Sequence, residues 1–132
     1  MQHIQEIESI FNPRYLDEDC GYIAVLLREY EIIISECMDR GNYSNAVTLL
    51  LAILDSLTRH FVEDEHYTYF DDMYSPEYVC QSIIEKMDRK AEEGLFPVEE
   101  IIRLREGLEK VKETEAYREY GVLMFALRCF KH

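Results

Sequence analysis

The sequence predicts an all-α fold, a single helical bundle of five to six helices built around an antiparallel hairpin, and three observations carry that prediction. Apolar residues recur at the three-and-four spacing of one helix face along most of the chain. Gly, Pro, Asn and Ser fall where those stretches begin or end. The one hint of strand alternation, Tyr67 and Tyr69 in "YTYFDDMY", has no second strand to pair with.

The elements follow in order. Ile4, Ile7 and Phe11 share a helix face before Pro13, which lacks an amide proton and biases Asn12 out of the helical region, so a short helix is expected over 3–12. A hairpin follows over 20–62, its helices at 22–40 and 44–62. In the first, Ile23, Leu26, Leu27, Tyr30, Ile33, Ile34 and Cys37 form one face, with Arg28, Glu29, Ser35, Glu36 and Asp39 off it. Gly41 can take the left-handed conformation that closes a helix, and Asn42 or Ser44 can accept the free amides that open the next. In the second helix Ala46, Val47, Leu50, Ile53, Leu54, Leu57 and Phe61 make the stripe. Leu49, Leu51 and Ala52 widen it until little polar face remains, which places this helix in the middle of a bundle.

An acidic, tyrosine-rich connection spans 62–75. Ser75 as cap and Pro76 at the first helical position then open a helix over 76–93, closed by Gly94, with Cys80, Ile83, Ile84, Met87 and Ala91 inward. Pro97 initiates a helix over 98–113; Glu99 and Glu100 suit its positive end, and Ile101, Leu104, Leu108 and Val111 face the core. Gly107 weakens that helix interior by about 1 kcal/mol relative to alanine. A last helix is expected over 115–131, with Tyr117, Tyr120, Leu123, Met124, Leu127 and Phe130 on its inner face. Its remaining apolar residues call for cover, from the chain's own helices or from a second copy in a homodimer.

Composition narrows the function. A chain of 132 residues with 48% hydrophobic and 31% charged content closes one core as one domain, 1–132. The net charge of −13, with no basic run, argues against nucleic acid and anionic membrane surfaces, and leaves a protein with a basic surface as the fitting partner. Cys20, Cys37, Cys80 and Cys129 include no C-x-x-C pair, which speaks against a zinc knuckle and for reduced thiols in a cytoplasmic protein. "MQHIQEIES" lacks the positive start and apolar run of a secretory signal. The longest apolar tract, Ala46 to Leu54, is far short of the about 20 residues that span a bilayer.

The stretch "EYEIIISECMDRGNYSNAVTLLLAILDSL" resembles a tetratricopeptide-type hairpin. With the acidic tyrosine-bearing connection and the "GLFPVEE" turn that follow, residues 28–120 are similar to the helical segment accompanying some SWIM zinc-finger proteins. The resemblance implies a helical scaffold without the zinc finger, since the four cysteines do not supply its ligands. A tetratricopeptide array repeats every 34 residues, and the position 34 beyond Gly41 is Ser75, with no recurrence around it.

No catalytic, cofactor-binding or metal-ligating residue is assigned, and no cofactor is expected. The five glycines form no phosphate cradle, and no Gly-x-Ser-x-Gly turn accompanies an imidazole. His3 and His132 are read as lying at fraying ends, leaving His60 and His66. These two, with Glu63 and Asp64, offer ligand chemistry for a divalent metal but without the ligand spacing on more than one helix that makes such a signal strong. Tyrosine gives contact area at small entropic cost, so Tyr67, Tyr69, Phe70, Asp71, Asp72 and Tyr74 are the candidate protein-binding residues. The expected role is a non-enzymatic protein-interaction or scaffold module. The alternatives are a helical-bundle metal-binding protein or enzyme using the His60–His66 segment, and an acidic inhibitor of a nucleic-acid-binding protein.

Overall fold

Two glycines with positive φ, Gly41 at 77° and Gly94 at 75°, punctuate the chain at matching points of two helical hairpins. In the first, the Gly41 amide donates to the Met38 carbonyl at 3.1 Å and the Asn42 amide to the Cys37 carbonyl at 2.8 Å. In the second, the Gly94 amide donates to the Ala91 carbonyl and the Leu95 amide to the Lys90 carbonyl, both at 3.0 Å. This pairing consumes the orphan carbonyls of a helix end and needs a residue that tolerates the left-handed region.

The computed structural model describes residues 20–63, 76–115, 118 and 130–132, with side chains described at 28–56, 58, 78–115, 118 and 130–132. Helix α1 runs Cys20–Asp39, α2 Tyr43–Glu63, α3 Pro76–Glu92 and α4 Val98–Lys112. Among the described residues every regular element is helical, and no helix is long and apolar enough to cross a membrane. The expected helix over 3–12 lies outside the described residues. The expected helix over 115–131 lies mostly outside the described residues; Phe130 and Lys131, at its expected end, stand in non-helical backbone.

The turn at 40–42 makes α1 and α2 antiparallel, and they form the inner pair; α3 packs along α1 and α4 along α2. Polar contacts fix the directions. Ser82 donates to Glu31 Oε1 at 2.8 Å, and one turn further along both helices Lys86 donates to Ser35 Oγ, so α1 and α3 run parallel. Arg103 reaches Ser44 and Thr48 while Gly107 lies against Leu51, so α2 and α4 are also parallel. Two hairpins are thus stacked in the same orientation, and Tyr43 and Phe96, each two residues past its turn glycine, meet with ring centroids 5.0 Å apart.

One hydrophobic cluster draws on all four helices. Helix α2 touches each of the other three and buries Ala46, Val47, Leu49, Leu50, Ile53 and Leu54 almost completely, as its broad apolar surface predicts. Each such leucine or isoleucine contributes about 1.5–3 kcal/mol by leaving water. Met38 and Val79, off the stripes drawn from the sequence, are buried as well, because the α1–α3 contact widens the covered arc of both helices. Gly107 has a packing role: a Cβ there would overlap the Leu51 side chain, so its absence lets α4 approach α2.

Candidate metal centre

The tripeptide Met-Asp-Arg occurs twice, at 38–40 and 87–89, each time near the end of the first helix of a hairpin. The methionines are equivalent, both fully buried, but the aspartates are not. Asp39 is exposed and pairs with Lys86 at 3.2 Å, whereas Asp88 is 6% exposed. The difference lies in what covers them. Helix α3 continues past Asp88 to Glu92, one turn on along the same face, and residues 130–132 lie over that turn.

Three contacts seat the tripeptide 130–132. Phe130 packs against the core cluster. The Lys131 amide donates to Asp88 Oδ1 at 3.0 Å, and Arg105 Nε of α4 donates to the main-chain oxygen of His132 at 2.9 Å. The segment therefore bridges α3 and α4, and it aims the His132 ring at α3: Nε2 stands 3.4 Å from Asp88 Oδ1, with the Phe130 ring centroid 5.9 Å from that of His132.

Asp88, Glu92 and His132 thereby bring one ligand atom each within 4.8 Å of one another. Around a tetrahedral cation with bonds of about 2.1 Å, ligand atoms stand about 3.4 Å apart, so Asp88 and His132 are already at the required separation. Glu92 is exposed and, among the described residues, holds no hydrogen bond or ion pair, which leaves its carboxylate free to turn inward. Two carboxylates one turn apart repel, and one of them is buried, an arrangement that a cation between them relieves. One imidazole and two carboxylates suit a divalent transition ion such as Zn²⁺ or Mn²⁺ and leave coordination positions for water.

His132, set aside in the sequence as an end residue, is thus held in place by the fold. Of the residues singled out earlier, His60 lies on α2 but its side chain is outside the described residues, as is that of Glu63; Asp64, His66, Tyr67, Tyr69, Phe70, Asp71, Asp72 and Tyr74 lie outside them altogether. The Asp88 and Glu92 spacing is visible in the sequence, but nothing local connects it to His132. Cys37 and Cys80 form no disulfide, the first half-buried and the second buried. A cleft of about 250 Å³ between α2 and α4 is lined by Leu51, Asp55, Thr58, Lys110 and Thr114, and Thr58 and Thr114 each donate to the carbonyl three residues earlier, of Asp55 and Val111.

The fold and site define a helical bundle carrying a histidine–carboxylate cluster. No protein-family model matches the chain, and neither a curated protein nor a solved structure matches it.

Proposed function

We propose that this chain is a helical-bundle metal-binding protein whose Asp88, Glu92 and His132 take one divalent transition cation. The observation that carries the reading is the buried Asp88 carboxylate facing the His132 imidazole, with the unengaged Glu92 one turn away. Asp88 supplies the fixed ligand because the Lys131 amide and the surrounding burial hold it. Asp88 and His132 form the preset pair, and Glu92 closes on the ion.

Calorimetric titration of the full chain with Zn²⁺, and separately with Mn²⁺, tests it. One equivalent is expected for at least one of the two ions. The pair Glu92→Gln and His132→Ala, which leaves the buried Asp88 in place, is expected to abolish binding, and His60→Ala with His66→Ala to leave it intact. Absence of binding to the wild-type chain, or binding that survives loss of Glu92 and His132, overturns the assignment.

The stacked hairpins support a second reading, a non-enzymatic protein-interaction or scaffold module. Parallel stacking of like helices is how helical-repeat proteins extend, and a tetratricopeptide-like arrangement is the finer form of this proposal. The test is copurification with Tyr67→Ala, Tyr69→Ala and Phe70→Ala together. Unchanged capture of every partner removes the tyrosine-rich connection from this reading.

A further inference from the structure

We infer that the metal site is also a latch: the cation fastens residues 130–132 onto α3 and α4, and so controls whether Phe130 stays seated on the core. This rests on the metal reading above and extends it to regulation.

The ligands are divided unequally between two parts of the chain. Asp88 and Glu92 belong to α3, a helix held by its own backbone and by a buried face of Val79, Cys80, Ile83, Ile84 and Met87. His132 belongs to a non-helical tripeptide whose described attachments are few: the half-buried Phe130 ring, one amide to Asp88, one main-chain oxygen to Arg105 and the 3.4 Å approach to Asp88. The three-ligand site exists only while that tripeptide is docked. A cation that uses His132 therefore binds the docked arrangement and has only two carboxylates to hold in any other.

Linkage makes the consequence reciprocal. Whatever factor docking contributes to metal affinity, the metal returns to docking, and a cation at about 100 times its dissociation constant favours the docked state by up to about 100-fold. The attachments that are not ligands, Phe130 and Arg105, must then affect affinity although neither supplies a ligand atom.

Two measurements on the full chain test this. Hydrogen exchange at the Lys131 amide, the donor to Asp88, is read with and without saturating Zn²⁺ or Mn²⁺, whichever ion the wild type takes. Slowing by at least about tenfold is expected. Arg105→Gln removes an anchor at an exposed position where no core packing is at stake, and is expected to weaken metal binding several-fold with unchanged stoichiometry. Phe130→Leu, which keeps the core contact apolar, is expected to weaken it less. If the ion binds through Glu92 and His132 but the Lys131 amide exchanges at the same rate and Arg105→Gln binds like wild type, the latch is wrong and the metal site stands. If the wild-type chain takes neither ion, both fall together.

Discussion

The carboxylate of Asp88 accepts the main-chain amide of Lys131 at 3.0 Å, a bond that joins α3 to a segment far along the chain. Asp39 occupies the corresponding place in the first hairpin's Met-Asp-Arg and, itself exposed, pairs with the half-buried Lys86. The two aspartates are therefore expected to respond differently to the same substitution. Asp88→Ala removes the carboxylate that accepts this part-buried amide and costs about 1.5–3 kcal/mol as a hydrogen bond to a charged group, whereas Asp39→Ala loses a surface ion pair worth about 0–1 kcal/mol. Urea midpoints at constant m-value give both numbers. Equal losses would mean that residues 130–132 do not rest on Asp88 in solution.

Tyr43 and Phe96 join the two hairpins at the turn end, at 5.0 Å and an interplanar angle of 55°. Phe96 is 4% exposed although it sits in a turn, because the stacked orientation brings the Tyr43 ring against it. Phe96→Ala is expected to cost about 3–5 kcal/mol as a core truncation. A double-mutant cycle with Tyr43→Leu and Phe96→Leu is expected to show a coupling of about 0.5–1.5 kcal/mol beyond the area lost. Zero coupling would remove the ring contact as a reason for the hairpins' register.

Arg103 ties the start of α4 to the start of α2. Its guanidinium reaches Ser44 O at 2.6 Å, Thr48 Oγ1 at 2.8 Å and Glu100 Oε2 at 2.8 Å, three acceptors that a planar fork serves together. Lysine has one donor centre and cannot span them. Arg103→Lys is thus expected to recover less than half of the loss in Arg103→Ala, which is about 1 kcal/mol because the side chain remains partly in water. Full rescue by lysine in a thermal melt would show that charge, not the fork, is what counts.

The helices and their inner stripes were legible because both are local. A 3.6-residue period is written within a dozen residues, Gly41, Pro76, Gly94 and Pro97 mark the boundaries beside them, and the hairpin 22–40 and 44–62 lies within a few residues of α1 and α2. Burial of Met38 and Val79 was not, since it depends on which helix lies along which. The candidate site was less legible still. Asp88 and Glu92 look like solvated helix acids, as Asp39 is, and it is the placement of residues 130–132 against α3 that sets Lys131 and the imidazole of His132 on the buried Asp88. The stacking offset between like helices, read from Glu31 with Ser82 and Ser35 with Lys86, is larger than the 34 residues of a tetratricopeptide period, so a search at that spacing does not find it.

The glycines separate two physical roles by the sign of one substitution. At Gly41 and Gly94 a Cβ would meet nothing within 4 Å, but the backbone is left-handed, so alanine is penalised by conformation alone, by about 1–2 kcal/mol. Asparagine, which tolerates that region, should recover part of the loss at either site. Gly107 has ordinary helical backbone, and alanine there gains about 1 kcal/mol of helix propensity while colliding with Leu51. Leu51 is half-buried beside the α2–α4 cleft, so it can yield only in part, and Gly107→Ala alone should change stability little. In a Leu51→Ala background the collision is gone, and the same substitution is expected to stabilise by close to the full propensity gain of about 1 kcal/mol. Chemical denaturation of the four chains of that cycle gives the answer. An identical effect of Gly107→Ala in both backgrounds would show that α4 does not press against Leu51, and that Gly107 is only a weak point in its helix.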